Sequence, residues 1–240
     1  MSRCNDSLAE REKIRASLES QGFQAVPSPD LPGVLELSGY DHLEMLEAFQ
    51  MGWIQVQDLS SVFAGLAASP QKGDFVLDVC AAPGGKSLHA ADLLRGTGMV
   101  EARDLTEKKA ELIEENIQRC GFSNIRARVW DALVPDETVF GKADIVLADL
   151  PCSGLGVLNK KRDLKYRMTP EQEKELVHLQ RRILAKVQQY VKPGGTLVYS
   201  TCTVHREANE GNKAGFLETS PIVLREPIRK SPCRALNTHR

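Results

Sequence analysis

The residues best suited to chemistry fall in one run, Asp78-Val79-Cys80-Ala81-Ala82-Pro83-Gly84-Gly85-Lys86-Ser87. There a short apolar segment gives way to a glycine-rich turn and then to a helical pattern. Gly84 and Gly85 let a ligand approach the backbone closely, and the following helix presents unpaired amides at its N-terminus. Gly85-Lys86-Ser87 imitates the end of a phosphate-binding P-loop, but that motif requires glycine where Cys80 stands. The dinucleotide fingerprint G-x-G-x-x-G is absent as well. What remains is a nucleoside site at the carboxyl end of the first strand of an α/β unit. Asp104, about twenty residues on, stands just past the second predicted strand, where an acid can accept both ribose hydroxyls. Asp131 follows the third strand and suits an adenine amine. Asp149 closes the fourth. Singly, each of these acids could merely cap a turn; three at the ends of consecutive strands line one crevice. Without a pyrophosphate fingerprint the nucleoside carries no phosphates, and S-adenosylmethionine fits.

Two cysteines stand at strand ends, in Asp149-Leu150-Pro151-Cys152-Ser153-Gly154 and in Ser200-Thr201-Cys202-Thr203. A thiolate is accessible near neutral pH and intrinsically nucleophilic. Most free cysteines are small buried hydrophobes, however, and the residues alone leave both readings open. Cys120 lies on an inward helix face and takes the packing reading; Cys4, Cys233 and the five histidines acquire no role.

Taken in order, Val56-Gln57-Asp58 with Ser60-Ser61, the CAAPGGK turn, the D-x-PCSG segment and the Thr201-Cys202 dipeptide resemble the Sun-type RNA cytosine-C5 methyltransferase family. The likeness extends over roughly residues 20 to 220. It implies a Rossmann-like class I S-adenosylmethionine-dependent methyltransferase fold and RNA as substrate, ribosomal RNA first and transfer RNA next. It also implies a cofactor held by Cys80, Ala81, Ala82, Pro83, Gly84, Gly85, Lys86, Asp104, Asp131 and Asp149. Cys202 becomes the nucleophile and Cys152 the helper in product release, with Asp149 at the cytosine edge. The chemistry agrees: cytosine C5 is a poor nucleophile until a thiolate adds to C6 and pushes electron density onto it. A DNA-type enzyme would instead place its nucleophile at Cys152; the Thr201-Cys202 dipeptide matches the RNA group. A basic run beside this site, Lys160, Lys161, Arg162, Lys165, Tyr166 and Arg167, suits phosphates and a stacked base. The family's usual proline before the aspartate is replaced by Arg162.

The elements that must position these residues read as alternating strands and helices from Asp74 onward. Strands are predicted at 75–79, 99–102, 126–130, 143–148 and 196–199. Helices are predicted at about 86–94, after a Thr106 cap to Gly121, and from a Thr169-Pro170-Glu171-Gln172 capping box to Pro193-Gly194-Gly195. The last helix directs Leu176, Leu179, Ile183, Val187 and Tyr190 inward. Repeated βα units of this kind make a mostly parallel sheet with helices on both faces. Before it, a helix from Ser7 to Gln21 and a proline-rich stretch form a small α+β appendage of about 50 residues, small for an independent core. The domains are thus 1–54, an appendage forming part of an RNA-binding subdomain; 55–224, the methyltransferase domain; and 225–240, an atypical tail unlike the family's closing strands. The chain reads as a shortened member, whose fifth strand exposes an edge through which a dimer could form.

Composition bounds the partners. Lys and Arg number 31 against 32 acids, a net charge of -1, which excludes a nonspecific polycation while permitting a local basic patch. No run of about 18 apolar residues occurs, and the charged start has no apolar signal region, so a cytoplasmic protein with reduced thiols is expected. The six cysteines form no C-x-x-C pair and the histidines are isolated, so no metal is expected.

Overall fold

A computed structural model describes residues 1–29, 31, 33–38, 42–152, 169–201 and 207–222. The basic run 160–167, Cys202 and the tail 225–240 lie outside the described residues. Two sheets organise the chain. The first comprises β1 (Ser2–Cys4), β2 (Gln24–Pro27), β3 (Val34–Ser38) and β4 (Ile54–Val56), in the order β2-β3-β1-β4 with antiparallel pairs. The second comprises β5 (Phe75–Asp78), β6 (Met99–Asp104), β7 (Ile125–Val129), β8 (Ala143–Asp149) and β9 (Val191–Ser200). Its order is β7-β6-β5-β8-β9 and every pair is parallel. The order reverses between β5 and β8, which is where a doubly wound sheet opens a crevice at its carboxyl edge.

Each central strand buries both faces, as its continuous apolar sequence requires. Val76, Ile145 and Leu147 join Val100 and Ala102 in one cluster, against Leu88 and Leu94 from and beside α4 (Gly85–Leu93) and Ile113 and Ile117 of α5 (Glu107–Cys120). Leu77, Val146 and Ala148 point the other way, onto Ile183, Leu184 and Val187 of α6 (Pro170–Val187). This is a Rossmann-like α/β fold. The caps are those the sequence announces. Thr106 accepts from the Lys109 amide, Gly121 ends α5 in the left-handed region, and Thr169 and Gln172 cap each other reciprocally.

Several boundaries move. The first helix, α1 (Arg11–Ser20), starts later than Ser7, because Ser7 is drawn into bonds with Asp92. β6 continues past Ala102 to Asp104, since Arg103 is buried in the strand by Glu101 and Asp136 rather than turned to water. α6 ends at Val187, and β9 is already paired at Val191, before Pro193-Gly194-Gly195. Val177 and not Leu176 is its buried residue in that turn. The appendage has a core of its own, Cys4, Ile14, Leu18, Ala25, Leu35, Leu46, Ala48 and Ile54, and β4 carries its sheet to Val56.

The first sheet is joined to the second by α3 (Leu59–Ala68) and by buried polar bonds. Asp92 on α4 accepts from Arg3, Asp6 and Ser7, while Arg119 on α5 donates to the Phe49 carbonyl at 2.7 Å and lies over the Phe49 ring. No helix among the described residues is long and apolar enough to cross a membrane.

The contact between α3 and α4 depends on a missing side chain. A β-carbon at Gly65 would stand 2.2 Å from His89 Nδ1, inside a buried imidazole. Gly65→Ala is therefore expected to cost about 1–3 kcal/mol by overpacking. Urea titration of this variant and of Gly65→Ala with His89→Ser, which clears the space, provides the check. A second substitution that restores no stability would show that His89 is not the obstacle.

Candidate active site

The crevice is built from strand ends. Asp78 ends β5, Asp104 ends β6, Asp131 follows β7 and Asp149 ends β8. Between the first two lies the turn from Cys80 to Lys86. The Ala81 amide donates to the Arg103 carbonyl at 2.8 Å and the Val79 amide to the Leu147 carbonyl at 3.0 Å, so the turn is tied to the strands on both sides. Gly84 has φ +105°, a left-handed conformation open to glycine at little cost, and it delivers the chain into α4.

The acids are not equivalent. Asp104, 4% exposed, accepts from the Ala82 amide at 2.9 Å, the Leu105 amide at 2.8 Å and Lys109 Nζ at 2.9 Å. It is the strand's last residue rather than one beyond it, and it closes the loop. Asp131 accepts from the Leu133 amide at 2.9 Å, and its other carboxylate oxygen has no partner among the described residues. Asp149 bridges the crevice: Oδ2 accepts from Lys86 Nζ at 2.6 Å and Oδ1 from Ser200 Oγ at 2.7 Å. Lys86 also donates to Ser61 Oγ at 3.1 Å, which brings the Ser60-Ser61 segment of α3 to the site.

Sequence reasoning singled out no role for Asp78, Ser200 or Gln180. Asp78 is 1% exposed and accepts from Ser87 Oγ at 2.6 Å; burial raises its carboxyl to about 7, helped by the charge of Asp149 and opposed by the Ser87 bond and Lys86. Gln180, fully buried on α6, donates to the Pro151 carbonyl at 2.7 Å and accepts from Asn212 at 2.6 Å. Thr201 donates to Asn209 at 2.7 Å. The residues preceding Cys152 and Cys202 are thus both held by side chains. An uncharged amide or hydroxyl inside a regular element gives no signal in the sequence; only Asp78, adjoining the turn, could have been suspected.

Burial pushes the Cys80 thiol up to about 12, with Asp78 and Asp104 acting in the same sense, so it stays protonated and serves the loop by packing. Cys4, Cys80 and Cys120 are free, whereas Cys152 is disulfide-bonded. The expectation of reduced thiols throughout is corrected there, because spacing along a chain does not measure separation in a fold. Groups of side chains suited to a metal ion are absent among the described residues.

The family model for 16S rRNA methyltransferase RsmB/F matches residues 66–237, which covers both cysteine motifs and most of the segment 225–240. The chain belongs to the RsmB/F family. A Bacillus subtilis relative described as a probable ribosomal RNA small subunit methyltransferase B is 37% identical over 91% of the chain, and a Salmonella newport ribosomal RNA small subunit methyltransferase B is 33% identical over 91%. The matches cover 49% and 51% of those relatives, so the chain spans about half the length of each. Among solved structures, that of PH0851 superposes with a TM-score of 0.89 at 33% identity, covering 94% of this chain and 52% of that one. The family match and the parallel Rossmann-like sheet are both what the Sun-type resemblance of the sequence implies.

The Asp78 carboxyl makes a pH signature of this crevice. Its folded value of about 7 lies above the ordinary 3.8, so the folded chain keeps a proton that the unfolded chain has released. That contribution is complete below the ordinary value and is lost as pH rises through about 7. The stability difference between wild type and Asp78→Asn, followed by thermal melts, is expected to move against the wild type between about pH 5 and pH 8. A difference constant over that range would mean Asp78 is ionised throughout.

Proposed function

We propose that this chain is the catalytic part of an S-adenosylmethionine-dependent RNA methyltransferase that forms 5-methylcytosine, with ribosomal RNA as substrate. The observation that carries the reading is the convergence of the CAAPGGK turn, Asp104, Asp131 and Asp149 on the β5/β8 crevice of an RsmB/F-family chain. In the same reading residues 1–54 belong to an RNA-binding subdomain, residues 55–224 form the catalytic domain, and 225–240 is a tail.

The donor set fits the cofactor. Cys80 to Lys86 line its turn, with the first amides of α4 unpaired within the helix. A carboxylate offers about four lone-pair sites, and Asp104 has committed three. Two ribose hydroxyls need two, so the half-exposed Lys109 swings away on binding. The open oxygen of Asp131 suits an exocyclic amine. When bound, S-adenosylmethionine supplies an activated methyl group.

The remaining chemistry belongs to the chain. Cys202 thiolate adds to cytosine C6, forming an S–C6 bond while the C5–C6 π pair moves onto C5. Asp149, held by Lys86 and Ser200, hydrogen-bonds the cytosine edge and favours its protonated form as negative charge develops on the ring. Once C5 carries its methyl group, the C5 proton leaves to a base, the π bond re-forms and the S–C6 bond breaks. Cys152 assists that release. C6 is inaccessible inside a stacked helix, so the cytosine is unpaired or flipped out. Lys160, Lys161, Arg162, Lys165, Tyr166 and Arg167 contact the RNA backbone and a base. The Cys152 role requires a free thiol, and since Cys152 is disulfide-bonded its part in turnover depends on a reductant.

Methyl transfer to unmodified ribosomal RNA, with mapping of 5-methylcytosine, tests the whole reading; cofactor binding without transfer would leave a binding remnant, and product only on transfer RNA would move the substrate. Asp104→Ala is expected to weaken S-adenosylhomocysteine by about 1.5–3 kcal/mol, measured by calorimetry, through lost bonds to a charged acceptor. Unchanged affinity would leave Asp104 a loop-closing residue alone. Cys202→Ala should abolish both product and adduct. Cys152→Ala should accumulate a protein–RNA species that survives denaturing gels and carries the methyl label. Exchanged phenotypes would put the nucleophile at Cys152.

A further inference from the structure

The glutamine of the Val56-Gln57-Asp58 segment is a polar side chain that the folded chain leaves half used. Gln57 sits between β4 and α3, is 7% exposed, and its Oε1 accepts from Arg3 Nε at 3.0 Å. Its Nε2 is buried and has no hydrogen-bond partner. Its orientation is dictated by chemistry, because a guanidinium has donors and no acceptor. Arg3 therefore takes the oxygen and commits the amide nitrogen to the opposite side. Arg3 is itself immobilised: it is 3% exposed, and its NH1 group donates to Asp92 at 3.2 Å and to the Cys4 carbonyl at 3.2 Å.

The amide lies against the start of α4. A β-carbon at Gly85 would stand 3.8 Å from both Cδ and Nε2 of Gln57. Here the first N–H groups of a nine-residue helix lack intrahelical partners, and the helix dipole adds partial positive charge. The neighbouring Lys86 ammonium is occupied by Asp149 and Ser61. The corner is thus rich in donors, and an orphaned amide of this kind destabilises the fold unless an acceptor arrives.

We propose that Gln57 is a ligand-binding residue whose Nε2, together with the α4 N-terminus, donates to a carboxylate, the amino-acid end of the cofactor proposed above. Arg3 and Asp92 are positioning residues that fix the direction of the amide from the first sheet. The inference rests on that cofactor reading and adds the group that recognises the end of the cofactor remote from adenine. It also explains why a segment outside the parallel sheet accompanies the CAAPGGK turn.

Two probes separate this inference from the reading beneath it. S-adenosylhomocysteine carries the carboxylate; 5′-methylthioadenosine has the same nucleoside and sulfur without it. Calorimetry on the full chain is expected to show that Gln57→Met, similar in shape but without a donor, weakens S-adenosylhomocysteine about 10- to 100-fold. The same variant should change 5′-methylthioadenosine less than about twofold, as expected for a ligand that never meets Gln57. Gln57→Glu keeps an acceptor for Arg3 but sets a negative charge toward the carboxylate, so it should weaken S-adenosylhomocysteine further and again spare 5′-methylthioadenosine. Equal losses for the two ligands, or no loss for either, would overturn the proposal and leave Gln57 a packing residue. If the wild type binds neither ligand, the cofactor reading falls and the proposal with it. Should Gln57→Met fail to fold, the Gln57→Glu comparison decides alone.

Discussion

The ion pair of Lys86 and Asp149 spans the point on which the site depends. Lys86 begins the helix after β5, and Asp149 ends β8; the two strands are neighbours, yet their following helices leave toward opposite faces. A sheet that winds both ways must part there, and something has to hold the opening at a fixed width. A pair this sheltered, at 13% and 32% side-chain exposure, would gain little if its remaining bonding capacity were unmet. Ser61 completes the ammonium and Ser200 the carboxylate. Four elements, α3, α4, β8 and β9, are thereby locked to one geometry.

The first sheet contributes through the same logic of satisfied burial. Arg3 loses much of its hydration, and desolvation lowers its pKa even with Asp92 alongside. Asp92 in turn collects two backbone amides, a hydroxyl and the guanidinium. On the far side, Arg119 reaches from α5 to the Phe49 and Ile54 carbonyls. The appendage is therefore fastened to the two helices that follow β5 and β6, the strands whose ends carry Asp78 and Asp104. Movement of the appendage would be felt at the turn.

Much of this was legible in residue patterns, for reasons that also mark the limits. The βα alternation is written in apolar runs buried on both faces, and Thr106, Gly121 and the Thr169 box announce helix ends through local chemistry that needs no tertiary partner. The turn and its strand-end acids were visible because loop residues with charge or glycine stand out. By contrast, Ser2–Cys4 is a central strand too short and too polar to show a period; its burial comes from β3 and β4 on either side. Arg103 reads as lying past the strand that ends at Ala102, yet Glu101, Asp136 and the Trp130 ring make it a core residue. Gln57 stood inside a segment that carried the resemblance but had no role, and Gln180 was silent, for a related cause: an amide acquires meaning only from what lies opposite it.

The neighbourhood of β5 and β8 has a consequence in time. Their pairing skips over β6, α5 and β7, so a chain emerging in order completes the turn's own sequence well before it completes the strand beneath it. Val79 cannot donate to Leu147, nor Lys86 to Asp149, until that later strand has docked. Long-range closure of this kind is slow relative to local structure. Competence to bind at the crevice should then arrive as one late event, the maturation of a seam rather than the gradual filling of a pocket. A nascent chain that has reached only β7 would hold a written motif with no shape.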